Sequence, residues 1–380
     1  MLHERHNNPD GYRVFEHSPR FRRLAEAADK PGGFGRAPLT ALSWLYSAGL
    51  AAFLATYRIG LRKQKRIATP VVSVGNLTLG GTGKTPIVRW LCESFLQEGV
   101  KPCVVSYGYG GSACGSPTVV SDGKSVYLGA DEAGDEPTML ARLLPGIPVV
   151  IGKRRYDAAQ LAEEKYSPTL IVLDDGFQHW QLHRNLDIVV IDARRPFGNR
   201  RTIPAGPLRE PVSAIKRAGL VVLTHSSEIT DDVLRELENE VRKIAPEVEV
   251  YRARNADSAM REMTTGERIS SRPHDERVCA VSSIGEPWGF ERSVVKTGLP
   301  IACAVRYPDH HRYSSSDTDD ITRVARDCGA SAIVTTEKDA VRWHDAADGL
   351  PVVVLDTRVE IEGGEAILAG IRKLLVDNGT

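Results

Sequence analysis

Short apolar runs alternate along the chain with longer stretches whose apolar residues recur every three to four positions. Val71–Val74, Pro102–Ser106, Pro148–Ile151, Leu170–Leu173 and Ile188–Ile191 predict strands. Ile87–Leu96, Glu136–Leu144 and Arg154–Glu164 predict helices between them. This alternation predicts an α/β fold with a mostly parallel sheet, helices on both faces, and ligands at the carboxyl ends of the strands. The pattern then continues with strands at Leu220–Leu223 and Val248–Arg252 around a helix at Asp231–Lys243. Asn255–Pro273 is polar and irregular, the best candidate for a connection. Beyond it, Val278–Val281, Ile301–Val305, Ala332–Thr335 and Val352–Leu355 predict strands, with helices at Pro287–Lys296, Asp317–Asp327 and Glu365–Val376.

The start of the chain departs from this rhythm. Met1–Gly35 is polar, rich in Pro and Gly breakers, with weak helical signal at Phe21–Ala28. It is expected to be a partly disordered extension. Ala37–Tyr57 carries no charged residue and is followed by Arg58, Arg62, Lys63, Lys65 and Arg66. Its length just suits a bilayer, but its hydroxyl residues lower its apolarity, so the expectation is a helix lying in a membrane interface beside anionic lipid. A buried first helix of the core fits the same pattern. The expected organisation is an extension over 1–36, an apolar helix over 37–62, a first domain over 63–254, a connection over 255–273 and a smaller α/β domain over 274–380.

Val71–Pro86 reads VVSVGNLTLGGTGKTP, a strand running into a glycine-rich turn, a lysine, a hydroxyl residue and a helix. This is the layout of a phosphate-binding loop. Backbone N–H groups of Thr78, Gly80, Gly81, Thr82 and Gly83 are placed to wrap phosphates, Lys84 to reach the β/γ oxygens, and Thr85 to ligate Mg²⁺. Thr78 stands where the full pattern has glycine, and Leu79 argues against the variant loop with a second lysine. A glycine-rich turn with a solvated lysine is the plainer alternative. Asp174-Asp175 closes an apolar run, the usual place for a carboxylate that handles the metal opposite a phosphate-loop hydroxyl, though two acidic residues can also cap a turn.

Composition changes this picture little. The 380 residues are 42% hydrophobic and 26% charged with zero net charge, which excludes a wholly disordered chain and gives no sign of a nucleic-acid binder. Six cysteines without C-x-x-C or Cys/His zinc spacing read as reduced thiols of a cytosolic protein, and no signal peptide is expected. Gly134-Asp135-Glu136-Pro137 opens a helix and can simply cap it. Arg194–Pro211 is either a connector or a binding loop for an anionic partner. The loop Arg306–Tyr313 holds two adjacent histidines and Asp309 without a metal-spaced partner cluster, and Thr335–Asp339 follows later.

Taken in order, VGNLTLGGTGKTP, GYGG, GDEP, LDDGFQH, FGN, PAGPLREP, YPDHHRY and TTEKDA resemble the tetraacyldisaccharide 4′-kinases, over about Pro38 to Asp339. The family's phosphate loop also lacks the first glycine. The resemblance implies a P-loop NTPase-like fold and transfer of the ATP γ-phosphoryl group to the 4′-hydroxyl of tetraacyldisaccharide 1-phosphate, the lipid A precursor. It implies a protein at the cytoplasmic face of the inner membrane, held there by its N-terminal helix, with ATP and Mg²⁺ as cofactors. Lys84 would cradle phosphates, and Thr85, Glu136, Asp174, Asp175 and Gln178 would hold Mg²⁺. Asp135 would accept the hydroxyl proton, paired with His310, and domain closure would assemble the site. Tyr109, Arg209 and Glu210 would face the sugar head group. Two positions depart from the family: Tyr107 stands where arginine is usual, and Arg200 where glycine is usual. The rival readings are a membrane-associated NTPase without a phosphoryl acceptor and a non-catalytic nucleotide sensor.

Overall fold

The computed structural model describes residues 2–5, 11–17, 36–256, 259–269, 276–343 and 349–377. The weak helical signal at Phe21–Ala28 lies outside them. The chain opens with β1 (Leu2–Arg5), β2 (Arg13–His17) and helix α1 (Arg36–Arg58). The first α/β series follows: β3 (Val71–Asn76), α2 (Lys84–Gln97), β4 (Pro102–Ser106), β5 (Thr118–Ser121), α3 (Ala130–Ala133), α4 (Asp135–Leu143), β6 (Val149–Ile151), α5 (Arg155–Tyr166), β7 (Leu170–Asp174) and β8 (Leu186–Asp192). It continues through β9 (Leu220–Thr224), α6 (Asp231–Ile244), β10 (Glu249–Asn255), β11 (Ala259–Glu262), β12 (Arg268–Ile269), β13 (Val278–Ser282), α7 (Pro287–Lys296), β14 (Ile301–Arg306) and α8 (Ser315–Asp327). The last elements are β15 (Ala332–Thr336), α9 (Glu337–Ala340), β16 (Val352–Asp356), β17 (Val359–Ile361) and α10 (Gly364–Asp377). Every strand and helix predicted within the described residues is present, most with ends shifted by a residue or two.

The chain forms two compact units, one of residues 33–255 and 359–380, the other of 1–32 and 256–358. The larger holds a nine-stranded sheet of order β17-β10-β9-β8-β3-β7-β4-β6-β5. Its strands from β10 to β6 are parallel, and only the edges β17 and β5 run antiparallel. Side-chain alternation assigns each strand to two cores. Val72, Val74, Val104, Leu170 and Val172 pack with Leu91 and Phe95 of α2, Leu140 of α4 and Ile371 of α10. On the other face Val71, Cys103, Val105, Ile171 and Leu173 meet the alanines of α5, while Val189, Ile191, Val221 and Leu223 meet Leu234, Leu237 and Val241 of α6. The smaller unit repeats the plan with an eight-stranded sheet, β1-β2-β14-β13-β15-β16-β11-β12, covered by α7 and α8.

Three expected boundaries are corrected. The polar start is not wholly an extension: β1 and β2 join the sheet of the second unit, where Val14 and Phe15 are buried. The stretch 255–273 is not an irregular connection throughout, because β11 and β12 form a ladder beside β16 within it. The second domain does not run to the C-terminus, since β17 pairs with β10 and α10 buries Ile367, Leu368 and Ile371 in the core of the first unit. Helix α1 is also not the buried core helix that its pattern allowed: only 11% of its most apolar stretch is buried, and it is long and apolar enough to cross a membrane. Trp44 and Leu45 are exposed, while Ser43 and Leu54 face inward.

The C-terminal helix should therefore behave as core of the first unit. Ile371→Ala is expected to destabilise the protein by about 2–5 kcal/mol, read from urea unfolding, whereas Val376→Ala on the exposed face should cost less than about 0.5 kcal/mol. Equal effects would contradict this packing.

Candidate active site

The candidate site is built where β3 ends, at the point from which the chain crosses to β4 on one side and returns to β8 on the other. Asn76 closes the strand and donates from Nδ2 to Thr78 O at 2.8 Å and Thr82 Oγ1 at 2.9 Å, so one buried amide holds both arms of the loop. The loop's outer arm is pinned to the Arg194–Pro211 segment: Leu79 N donates to Pro207 O at 2.7 Å and Arg209 N to Leu77 O at 2.7 Å. Thr224, at the end of β9, donates to Thr82 O at 2.8 Å. Gly83 caps α2 with φ of 79°, a left-handed turn that releases the following N–H groups toward an anion. The backbone around Gly80 and Gly81 is open, with nothing near a notional Cβ at either position.

Beside this loop lie two carboxylates with opposite electrostatics. Asp174 is 1% exposed, and its Oδ2 accepts from Ser106 Oγ at 3.1 Å. Burial, then the nearby charges of Glu136 and Asp175, push its carboxyl up to about 7 against the pull of Lys84 and the Ser106 hydroxyl. Burial pushes Asp175 up as well, but Lys84 and Arg209 outweigh it and hold that carboxyl below its ordinary value. Lys84 Nζ lies 3.5 Å from Asp175 Oδ1, and Arg209 Nη1 donates to Oδ2 at 2.7 Å. Gln178 spends its Nε2 on Asn76 O at 2.9 Å, which leaves its oxygen free to face a ligand.

Three buried oxygens at this corner, Asp174 Oδ1, Asp175 Oδ1 and Gln178 Oε1, accept no hydrogen bond. Native structures rarely leave such atoms unsatisfied. A hard cation with oxygen ligands fits them, and Mg²⁺ is commonly held by one or two carboxylates with substrate phosphates and water completing the shell. Among the described residues no cluster of three or more His, Cys, Asp or Glu side chains forms a closed protein cage.

The segments around Asp135 interlock through glycine. A Cβ on Gly111 would meet Glu132 O at 2.3 Å, and one on Gly134, at φ 87°, would meet Tyr109 O at 2.4 Å. Neither loop can carry a side chain at these positions, which explains the glycines in both motifs and fixes Asp135 as the first residue of α4, at its positive end. Tyr109 is three-quarters exposed. Sequence reasoning missed Arg155, at the start of α5. It is buried, stacks over Tyr107 at 4.9 Å, donates to Gly152 O at 3.1 Å, and interacts electrostatically with Asp174 and Asp175. No local sequence signal marks it.

The Arg194–Pro211 loop is held by α1. Ser43 Oγ donates to Thr202 O at 2.7 Å, Tyr46 OH to Arg209 O at 2.7 Å, and Arg201 to Thr40 Oγ1 at 2.6 Å. Arg200 keeps the left-handed turn that glycine would favour, at φ 62°, and pairs with Glu240. Glu210 corrects an expectation. It is 1% exposed rather than facing a head group, and both its oxygens are taken by Arg217, at 2.8 and 3.0 Å. Arg217 in turn stacks on Phe177 and Trp180.

In the second unit, His310 sits at φ 64° after β14. Arg342 Nη2 lies 3.1 Å from its Nδ1 and Lys338 Nζ 3.3 Å from its Nε2. Arginine and lysine both only donate, so each ring nitrogen of His310 faces a cationic donor. Lys338 also binds Asp309 at 2.9 Å, and Arg342 donates to Ser283 Oγ at 3.1 Å. Buried Asp339 anchors this network by accepting from the Ser283 N–H at 3.1 Å and the Thr336 hydroxyl at 2.7 Å. The Thr335–Asp339 motif, without a role in the sequence, is thus the seat of the histidine.

A parallel sheet, a phosphate loop opening α2, and buried carboxylates on the next strand define a P-loop phosphotransferase. The sequence matches the family described as Tetraacyldisaccharide-1-P 4′-kinase over residues 36–375. It is 40% identical over 356 residues to a tetraacyldisaccharide 4′-kinase of Anaeromyxobacter dehalogenans (strain 2CP-C), covering 90% of this chain and 92% of that protein. It is 38% identical over 316 residues to one of Halothermothrix orenii, covering 80% and 82%. A crystal structure described as the "apo" form of LpxK from Aquifex aeolicus in complex with ATP superposes with a TM-score of 0.74 at 29% identity, covering 90% of this chain and 99% of that one. The chain belongs to the tetraacyldisaccharide 4′-kinase family.

The Glu210–Arg217 pair generates a direct test. Arg217→Ala leaves a carboxylate buried without its partner and is expected to cost about 3–5 kcal/mol of stability, measured as a shift of the urea midpoint. An unshifted midpoint with a raised KM for the lipid alone would return Glu210 to the substrate.

Proposed function

We propose that this chain transfers the γ-phosphoryl group of ATP to the 4′-hydroxyl of tetraacyldisaccharide 1-phosphate at a membrane surface. The observation that carries the reading is the cation-bracketed carboxylate corner beside the phosphate loop, in a chain of this family. Lys84 is the cation for the β/γ phosphates. Asp174, Asp175, Gln178, Glu136 and Thr85 are the set that would hold Mg²⁺, which when bound neutralises phosphate charge.

In the step itself, the 4′-oxygen forms a bond to the γ-phosphorus while the bond to the β–γ bridging oxygen breaks, and ADP leaves. The hydroxyl proton passes to the Asp135 carboxylate. Such transfer depends on positioning and charge neutralisation more than on covalent help. The interlocked loops around Gly111 and Gly134 support a fixed carboxylate at residue 135. His310 is its proposed partner, as the family resemblance implies. Arg209 reaches the site from the α1-bound loop, and exposed Tyr109 is a candidate for contact with the disaccharide.

Helix α1 is the proposed membrane contact. Its exposed Trp44 and Leu45 are followed by exposed Ile59 and Leu61 among basic residues, a composition suited to an anionic interface. Such placement lets the acyl chains stay in lipid, avoiding about 0.8 kcal/mol per CH₂ exposed. We place the protein at the cytoplasmic face of the inner membrane.

The test uses purified protein, radiolabelled ATP and detergent-dispersed tetraacyldisaccharide 1-phosphate. Label should move to the lipid, and Asp135→Ala should lower kcat by about 10²–10⁴-fold, the range of a lost general base. Phosphate released to water at one rate with or without lipid would overturn the kinase reading. Undiminished transfer by the variant would overturn Asp135 as the proton acceptor.

A further inference from the structure

The family match begins at residue 36, yet residues 2–5 and 13–17 are built into the second unit. Strand β2 pairs in parallel with β14, residue for residue from Arg13↔Cys303 to Glu16↔Arg306. Strand β1 covers the outer edge of β2. The last paired residue of β14, Arg306, is followed at once by the loop that carries His310, so β2 ends where that loop begins.

Contacts at this end are dense. The His17 ring stacks on Tyr307, with centroids 5.2 Å apart and planes 22° apart, and lies 5.3 Å from the ring of His311. Tyr307 and His311 stack on each other at 4.4 Å. His311 Nε2 is fixed on its far side by Asp317 at 3.1 Å, the residue that closes the cap of α8. One residue earlier, Glu16 approaches Arg306 at 3.7 Å, while Arg306 makes two bonds of 2.7 and 2.8 Å to Glu291. Tyr12 donates to the same Glu291. Phe15 packs in one cluster with Val305, Tyr307 and Tyr313.

We propose that the N-terminal strand pair is a positioning element for the His310 loop, with His17 as its contact residue. The residues flanking His310 are the ones clamped: Tyr307 three before it and His311 next to it, in a single stack closed by His17. A histidine held at positive φ carries backbone strain that its surroundings must enforce, and this stack borders that position. Burial, with the charge of His311, lowers the pKa of His17 and so favours its neutral ring. The proposal rests on His310 taking part in catalysis, and the experiment separates the two.

In the full-length protein, His17→Ala is expected to lower kcat for lipid phosphorylation by about tenfold to a hundredfold, with KM for ATP unchanged. His17→Phe, which keeps a ring in the stack, should restore most of the loss. In a His310→Ala background the His17→Ala change should have no further effect on kcat. Amide hydrogen exchange over residues 306–311 should speed up in His17→Ala and return toward normal in His17→Phe. Unchanged exchange in a folded His17→Ala protein would overturn the proposal whatever the rate. Faster exchange, with full activity in His310→Ala, would keep the strand pair as a positioning element and reject the catalytic role of His310. Equal loss in His17→Ala and His17→Phe would show that the ring stack is not what positions the loop.

Discussion

A carboxylate moved out of water must find a cation, a donor or a proton, and the architecture around β7 answers that demand. Asp175 is answered by Lys84 from the phosphate loop and Arg209 from the loop bound to α1. One carboxylate thereby ties together β7, the glycine-rich loop that opens α2 and the loop bound to α1. Asp174, deeper and flanked by two further negative charges, accepts one hydrogen bond, from the Ser106 hydroxyl, and feels Lys84 and Arg155 only through space. The corner is held by ion pairs on one side and left electrostatically incomplete on the other, where in the proposed reading a metal–phosphate ligand would supply the missing charge.

Within each unit, further devices act by rigidity. Backbone-to-backbone approach at Gly111 and Gly134 leaves the start of α4 no alternative position. Arg217 neutralises Glu210 beneath the Arg209 segment, so the loop has a solid floor. In the second unit, Asp339, Arg342 and Lys338 play the equivalent part around His310. In the last two cases buried charge is matched by a partner, which favours one arrangement over its competitors.

This explains what the sequence disclosed and what it did not. The central strands of both sheets were legible because near-continuous valine, isoleucine and leucine runs mark parallel strands buried on both faces. The phosphate loop and Asp174-Asp175 were legible because their spacing is local. Strand β2 was not: Arg13–His17 has only two buried apolar residues between polar ones, and its identity comes from the edge of β14 that it covers. The same holds for β17 and α10, whose helical period was plain but whose sheet was not. Arg155, Arg217 and Arg342 escaped notice because a cation's role is defined by the carboxylate or ring it meets, often far along the chain. Glu210 was misread for the converse reason: nothing local distinguishes a carboxylate that faces a ligand from one buried against an arginine.

The central claim, that Asp174 is buried without adequate protein compensation and awaits a metal, is tested most directly by its own titration. The folded, metal-free protein should show this carboxyl titrating near 7, in carbon-13 spectra assigned through Asp174→Asn. A proton then competes with Mg²⁺ below that value, so Mg²⁺ affinity in the presence of ATP should rise with pH up to about 7 and level off above it. A carboxyl titrating near 4, the ordinary aspartate value, with Mg²⁺ affinity flat from pH 5.5 to 8, would contradict the account.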